Sequence, residues 1–235
     1  MVVNTLARKL QQLSELGIPG LATKFYDKVA SKRLAKLHEL AIKRMRLGHG
    51  LRYVLDAGCG PGYLLAKLLS SRSEPTYAVG LDISPEMVEL ARKRLLDSEE
   101  TGISDVVAGD ATCLPLREGS FHAAVSTGVL HHISEPEKFF REIHRVLKEG
   151  SSAHVLGFSP DVPWSEVRES SRIMGVNTLL LKIVSSLHGI PRREYVSGYV
   201  KKALMNIDHE IRFINVVTDV EIIRRSHRNI EDRQS

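Results

Sequence analysis

The chain is short of cysteine, of aromatics and of long apolar runs, and each shortage excludes something. Only Cys59 and Cys113 occur among 235 residues. Two cysteines make neither a disulfide framework nor a zinc module, so no metal is expected and a reducing cytoplasm is the expected setting. No apolar stretch approaches the roughly 20 residues that a membrane-spanning helix needs. The opening MVVNTLARKLQQLSELG scatters charges where a secretory leader carries an apolar segment, so no signal peptide is expected. What remains, 43% hydrophobic and 26% charged with 6% aromatic, is the composition of an ordinary globular domain with one sizeable core.

Charge is less even. The formal net charge is +5, and the excess is local: between Lys24 and Arg52 nine Lys/Arg face only Asp27 and Glu39. In that stretch Ala30, Leu34, Leu37, Ala41 and Met45 recur at helical spacing, with Lys32, Lys36 and Lys43 on other faces. Two readings stand: the solvated face of an amphipathic helix, or a basic surface for RNA or a membrane.

Residues 4–16 and 20–47 read as helices around Gly17-Ile18-Pro19-Gly20, a helical cap over residues 1–50. A main domain over residues 51–235 follows. Short apolar strands at 53–56, 77–82, 105–109, 122–126 and 153–158 alternate with helices at 63–70, 85–96 and 134–150. Such alternation predicts βαβ units and a mostly parallel sheet. Ser84 fits the N-cap of the second helix, Pro85 its first turn. "SEPE" reads as a capping box from Ser134, with Glu137 reaching back, and Gly150 as the stop of that helix. Residues 160–207 break the alternation as an insertion, either added core or a lid on the substrate. "EIRFINVV" and "VEIIRRS" then read as a closing antiparallel hairpin with Thr218-Asp219 near its turn.

The stretch "VLDAGCGPGYLL" places Gly58, Gly60 and Gly62 between a strand and a helix, where parallel sheets bind ligands. The spacing G-x-G-x-G departs from the G-x-G-x-x-G dinucleotide fingerprint, Tyr63 standing where the last glycine belongs. Three carboxylates decide the ligand. Asp56 closes the first strand, where it would repel a pyrophosphate and suit a cation. Asp82 closes the second, placed for both hydroxyls of a ribose. Asp110 follows the third, placed for an exocyclic amine. Together they describe a ligand with a cation, a ribose and an amino-bearing base.

"VLDAGCGPGYLL", "AVGLDISPEMVELARKRL", "VVAGDATCLPLREGSFHAAVSTGVLHHI" and "FFREIHRVLKEG" resemble, in that order, the blocks of class I S-adenosylmethionine-dependent methyltransferases. The nearest pattern is the small-molecule group that includes the quinone-biosynthesis enzymes. The resemblance covers about residues 52–158 and implies a Rossmann-like α/β fold of seven strands, the last antiparallel. It implies backbone contact of Gly58, Gly60 and Gly62 with the methionine part and sulfur of S-adenosylmethionine. Asp56 and the carbonyl near Thr127 would hold the ammonium, and Asp82 the ribose. Ile83 and Met87 would flank the adenine, with Asp110 and the Ala111 amide at its polar edge. Tyr26 resembles an aromatic that relatives fold over the cofactor. "KEGS" replaces the common K-P-G-G turn, away from any cofactor contact.

His131 and His132 fall where the methyl group would emerge, as general-base candidates or, for His132, as a structural residue bonded to backbone. Three functions stay open: a small-molecule methyltransferase, an RNA or protein methyltransferase using the basic helix, and a non-catalytic binder or nucleotide oxidoreductase. A small acceptor implies that residues 160–207 and the helix around Tyr26 close an apolar pocket above His131, with Trp164 and Tyr195 as flat walls.

Overall fold

The computed structural model describes residues 35–96 and 103–226. Tyr26, Lys32, the predicted helix 4–16 and the start of the predicted helix 20–47 lie outside the described residues. Seven strands form one sheet: β1 Arg52–Ala57, β2 Thr76–Asp82, β3 Ile103–Ala108, β4 Phe121–Thr127, β5 Leu147–Phe158, β6 His209–Ile214 and β7 Val217–Arg224. Their order in space is β3-β2-β1-β4-β5-β7-β6. The first five run parallel, and β7 lies antiparallel to both β5 and β6. The chain builds outward from β1 to β3, then restarts at β4 on the other side of β1. The carboxyl ends of β1 and β4 therefore part into a crevice, the place where such sheets bind ligands.

Helices cover both faces because the central strands are apolar on both. Val54 belongs to one core cluster and its neighbour Leu55 to the other, as the two-residue period of a strand demands. The Val54 face is covered by α1 (Ala35–Arg44), α2 (Tyr63–Ser71), α3 (Pro85–Leu96), α5 (Trp164–Met174) and α6 (Thr178–His188). The Leu55 face is covered by α4 (Pro136–Val146), α7 (Arg192–Val196) and α8 (Tyr199–Ala203). Leu37, Ala41 and Met45 of the basic stretch are buried, as the amphipathic reading expects.

Three boundaries differ from the sequence reading, each for a local reason. The capping box at Ser134 does not form: α4 starts at Pro136 without a side-chain cap, and Glu137 pairs with Arg141 at 2.6 Å instead. That helix ends at Val146 rather than Gly150, because Leu147 already pairs with Phe121 in the sheet. The final hairpin turns at Asn215-Val216, not at Thr218-Asp219, with Ile214 opposite Val217. Asp219 is drawn into the sheet interior by His154, 3.0 Å away, and by Arg44 at 3.4 Å. Thr218 likewise bonds Ser159 Oγ at 2.6 Å.

Candidate functional site

The loop after β1 is lashed to β2 before any ligand is considered. Gly58 N–H and Cys59 N–H both donate to the Leu81 carbonyl, at 2.7 and 2.9 Å, and Gly109 N–H donates to the Asp82 carbonyl at 2.9 Å. Three strand ends are thus fixed side by side, and a cleft of about 220 Å³ opens above them. Gly58 has φ +79°, and a Cβ there would fall 2.3 Å from Val129 Cγ2. Gly60 has φ +51° but nothing within 4 Å of where its Cβ would be. The first glycine serves packing; the second leaves open space beside the backbone. Gly62 does not border the cleft, and its missing Cβ lets α3 approach at Ala91, 3.0 Å away.

The carboxylates differ in state. Asp82 Oδ2 accepts from Gly60 N–H at 2.8 Å and its Oδ1 from Ser84 N–H at 2.9 Å, which aims the group into the cleft. Burial raises its pKa despite those bonds. Asp110 Oδ1 accepts from the Thr112 N–H and hydroxyl, both at 2.8 Å. Asp56 is 1% exposed, and its Oδ1 has no hydrogen-bond partner among the described residues. Burial first, and the neighbouring Asp82 charge second, push its pKa up to about 8. A buried carboxyl oxygen left without a donor is costly, and a ligand ammonium is the kind of group that would satisfy it. The residues therefore fit S-adenosylmethionine: an orphaned acid for its cation, an open glycine for its chain, and oriented acids for ribose and adenine.

Of the residues named from sequence, Gly58, Gly60, Asp82, Ile83, Met87, Asp110, Ala111, Thr127 and His132 line this one cleft. Asp56, Gly62 and His131 stand off it. Ser126, at the end of β4, spends its hydroxyl on the Ala57 carbonyl at 2.7 Å. The expected apolar walls are elsewhere: Tyr195 is 1% exposed within the core, Trp164 is 51% exposed, and neither borders the cleft. Tyr195 packs edge-on against Phe213, so it fills the space between the insertion and β6.

The insertion contributes something sequence spacing does not show. His188, the last residue of α6, reaches His131, with Nδ1 3.1 Å from His131 Nε2. The His131 and His132 rings lie 3.8 Å apart, and one nitrogen of each of the three histidines lies within 4.8 Å of the others. Burial pulls His131 down to about 2 and His132 down to about 4, with the neighbouring imidazoles adding to it. His188 is lowered by burial too. All three are neutral at pH 7. His132 Nδ1 is buried with no hydrogen-bond partner among the described residues, so the backbone bond expected for a purely structural His132 is not made there by them. Gly189 ends α6 just after His188, and nothing in the sequence signals the contact with His131.

Comparison with known proteins agrees with this geometry. The family described as a methyltransferase domain matches residues 55–155. A ubiquinone/menaquinone biosynthesis C-methyltransferase from Geobacter sp. (strain M21) is 33% identical over 124 residues, 52% of each chain. A demethylmenaquinone methyltransferase from Clavibacter sepedonicus is 34% identical over 169 residues, 66% of each chain. The chain spans about half the length of the first curated relatives it matches. In fold it is similar to an S-adenosyl-L-methionine-dependent methyltransferase structure from Methanococcus maripaludis, with TM-score 0.64 and 21% identity over 94% of this chain and 93% of that one. Four sequence blocks in order, the sheet order β3-β2-β1-β4-β5-β7-β6 and the acid-lined glycine cleft converge: residues 55–155 of this chain form a class I S-adenosylmethionine-dependent methyltransferase domain.

Proposed function

We propose that this protein transfers the methyl group of S-adenosylmethionine to a small-molecule acceptor. The observation that carries the reading is the pair of oriented carboxylates, Asp82 and Asp110, lining one cleft with an open Gly60, with the buried Asp56 behind them. Bound there, the cofactor supplies a methyl group already activated on a cationic sulfur. Asp56 and the Thr127 carbonyl hold the ammonium, Asp82 the ribose, and Asp110 with the Ala111 amide the adenine edge, while Ile83 and Met87 cover its faces. What the chain adds is alignment and exclusion of water.

On this reading the acceptor enters beside His132, with His131 behind it. As neutral imidazoles with depressed basicity, they accept a hydrogen bond from an acceptor hydroxyl readily and hold a full proton poorly. The quinone-biosynthesis relatives support an acceptor of small-molecule size. The RNA alternative meets an obstacle at the cleft. Its described lining includes Asp82, Asp110 and Glu135 and no Lys or Arg, so a phosphodiester backbone would face carboxylates. In the basic stretch, Lys36 pairs with Glu39 at 2.8 Å and Arg44 with Asp219. The test is to incubate the protein with methyl-labelled cofactor and, separately, a metabolite extract and an RNA pool. Label in the metabolite fraction supports the reading; label in RNA alone overturns it.

A further inference from the structure

We propose that His131, His132 and His188 bind one divalent metal ion of the zinc type, whose open position takes an ionisable hydroxyl or thiol of the acceptor. The geometry is already close to that of a site. Two nitrogens each about 2.0–2.1 Å from a tetrahedral ion lie roughly 3.4 Å apart, and His131 Nε2 and His188 Nδ1 are 3.1 Å apart, in a hydrogen bond that a bound ion would replace. The third nitrogen lies within 4.8 Å of both.

The donors are held by rigid backbone. His131 and His132 sit on a short 3-10 turn, Leu130–His132, directly after β4. His188 is pinned from the other side: Ile190 N–H donates to the Phe158 carbonyl at 2.9 Å, and Lys182 Nζ to the Pro160 carbonyl at 2.6 Å. A Cβ on Gly189 would lie 2.1 Å from the Ser185 carbonyl oxygen, so that close return to β5 requires glycine. Placement of this kind is what a metal site needs, and His188 is the exposed member of the trio.

The donor set names the ion. Three imidazoles without a carboxylate suit zinc and its borderline neighbours, not calcium or magnesium. Three protein ligands also leave a fourth position free, the pattern of a reactive site and not a structural one. His132 borders the cleft, so that position faces the acceptor. An acceptor O–H or S–H bound there gives its proton to solvent and is held as the anion, a task for which the histidines alone are weak bases. The metal site stands without reference to the acceptor; only the hydroxyl or thiol rests on the small-molecule reading above.

The experiment uses the untagged full chain, stripped with a chelator and titrated with Zn2+ and with Co2+, with S-adenosylhomocysteine titrated into the same samples. One ion per chain is expected, with a tetrahedral Co2+ absorption. His188→Ala and His131→Ala should each weaken zinc binding by more than the roughly 10–100-fold that loss of a ligand-orienting neighbour costs, while S-adenosylhomocysteine affinity and the exposed control His49→Ala stay at parental values. No zinc binding by the parent, or parental affinity in His188→Ala, overturns the site. Failure of S-adenosylhomocysteine to bind would instead undo the methyltransferase reading and leave the zinc result standing.

Discussion

The two sides of the cleft are built differently. On the cofactor side, Asp56, Asp82 and Asp110 sit at the ends of three adjacent strands, each fixed by its place in the sheet. On the acceptor side, His131 meets a partner 57 residues away that arrives on an inserted helix. The first side is a consequence of topology, since parallel strands bring consecutive ends into register. The second depends on where α6 happens to stop. A fold can thus conserve a means of binding one ligand while an insertion rewrites what lies opposite it.

The comparison can be broken most sharply at Asp82. On the proposed function, Asp82→Ala would remove two charge-assisted contacts to a ribose, each worth about 1.5–3 kcal/mol, so S-adenosylhomocysteine affinity should fall at least about 100-fold. It also frees Gly60 N–H and Ser84 N–H, so circular dichroism must confirm an intact fold. An unchanged titration would remove the cofactor assignment. Next comes a pair of glycines. Gly58→Ala places a methyl against Val129 at a φ of +79° and should lower stability by about 2–4 kcal/mol, read by urea unfolding. Gly60→Ala meets no neighbour and should cost only about 1–2 kcal/mol of backbone strain while weakening cofactor binding. Equal stability losses in the two would contradict their separate roles.

Asp56 sharpens the comparison through pH. Its pKa of about 8 in the fold exceeds the ordinary aspartate value of 3.8, so between those values the folded state holds a proton that the unfolded chain has lost. Its contribution to stability therefore falls as pH rises from about 4 to about 8. Asp56→Asn should flatten that dependence, raise the melting temperature at pH 8 and weaken S-adenosylhomocysteine binding. A ligand ammonium should reverse the shift, so binding to the parent at pH 7 should release up to about one proton, read by calorimetry in two buffers of different ionisation enthalpy. The smallest effect is expected at the basic stretch. Replacing Lys32, Lys36 and Lys43 with Gln should change small-molecule turnover by less than about twofold, as for ordinary surface changes.

Most of the cofactor side was legible in the sequence because period-two strands ending in acids carry their own register. Gly62 was less so, since its role appears only once α3 is packed against α2. The boundaries of α4 and the final hairpin were misread where tertiary partners won over local signals: Phe121 claimed Leu147, and His154 with Arg44 claimed Asp219. The acceptor side stayed dark for a different reason. Nothing in "LHH" and "SSLHGI" says that they meet, because that contact is fixed by the path of the insertion back to Phe158.

On the proposed function, this cleft binds a nucleoside whose amino-acid chain carries an ammonium group, and not a pyrophosphate. Titrating S-adenosylhomocysteine and NAD into separate samples of the full chain tests it directly. Saturable binding of S-adenosylhomocysteine at one site per chain is expected, and none of NAD. Binding of NAD, or the absence of S-adenosylhomocysteine binding, would contradict it.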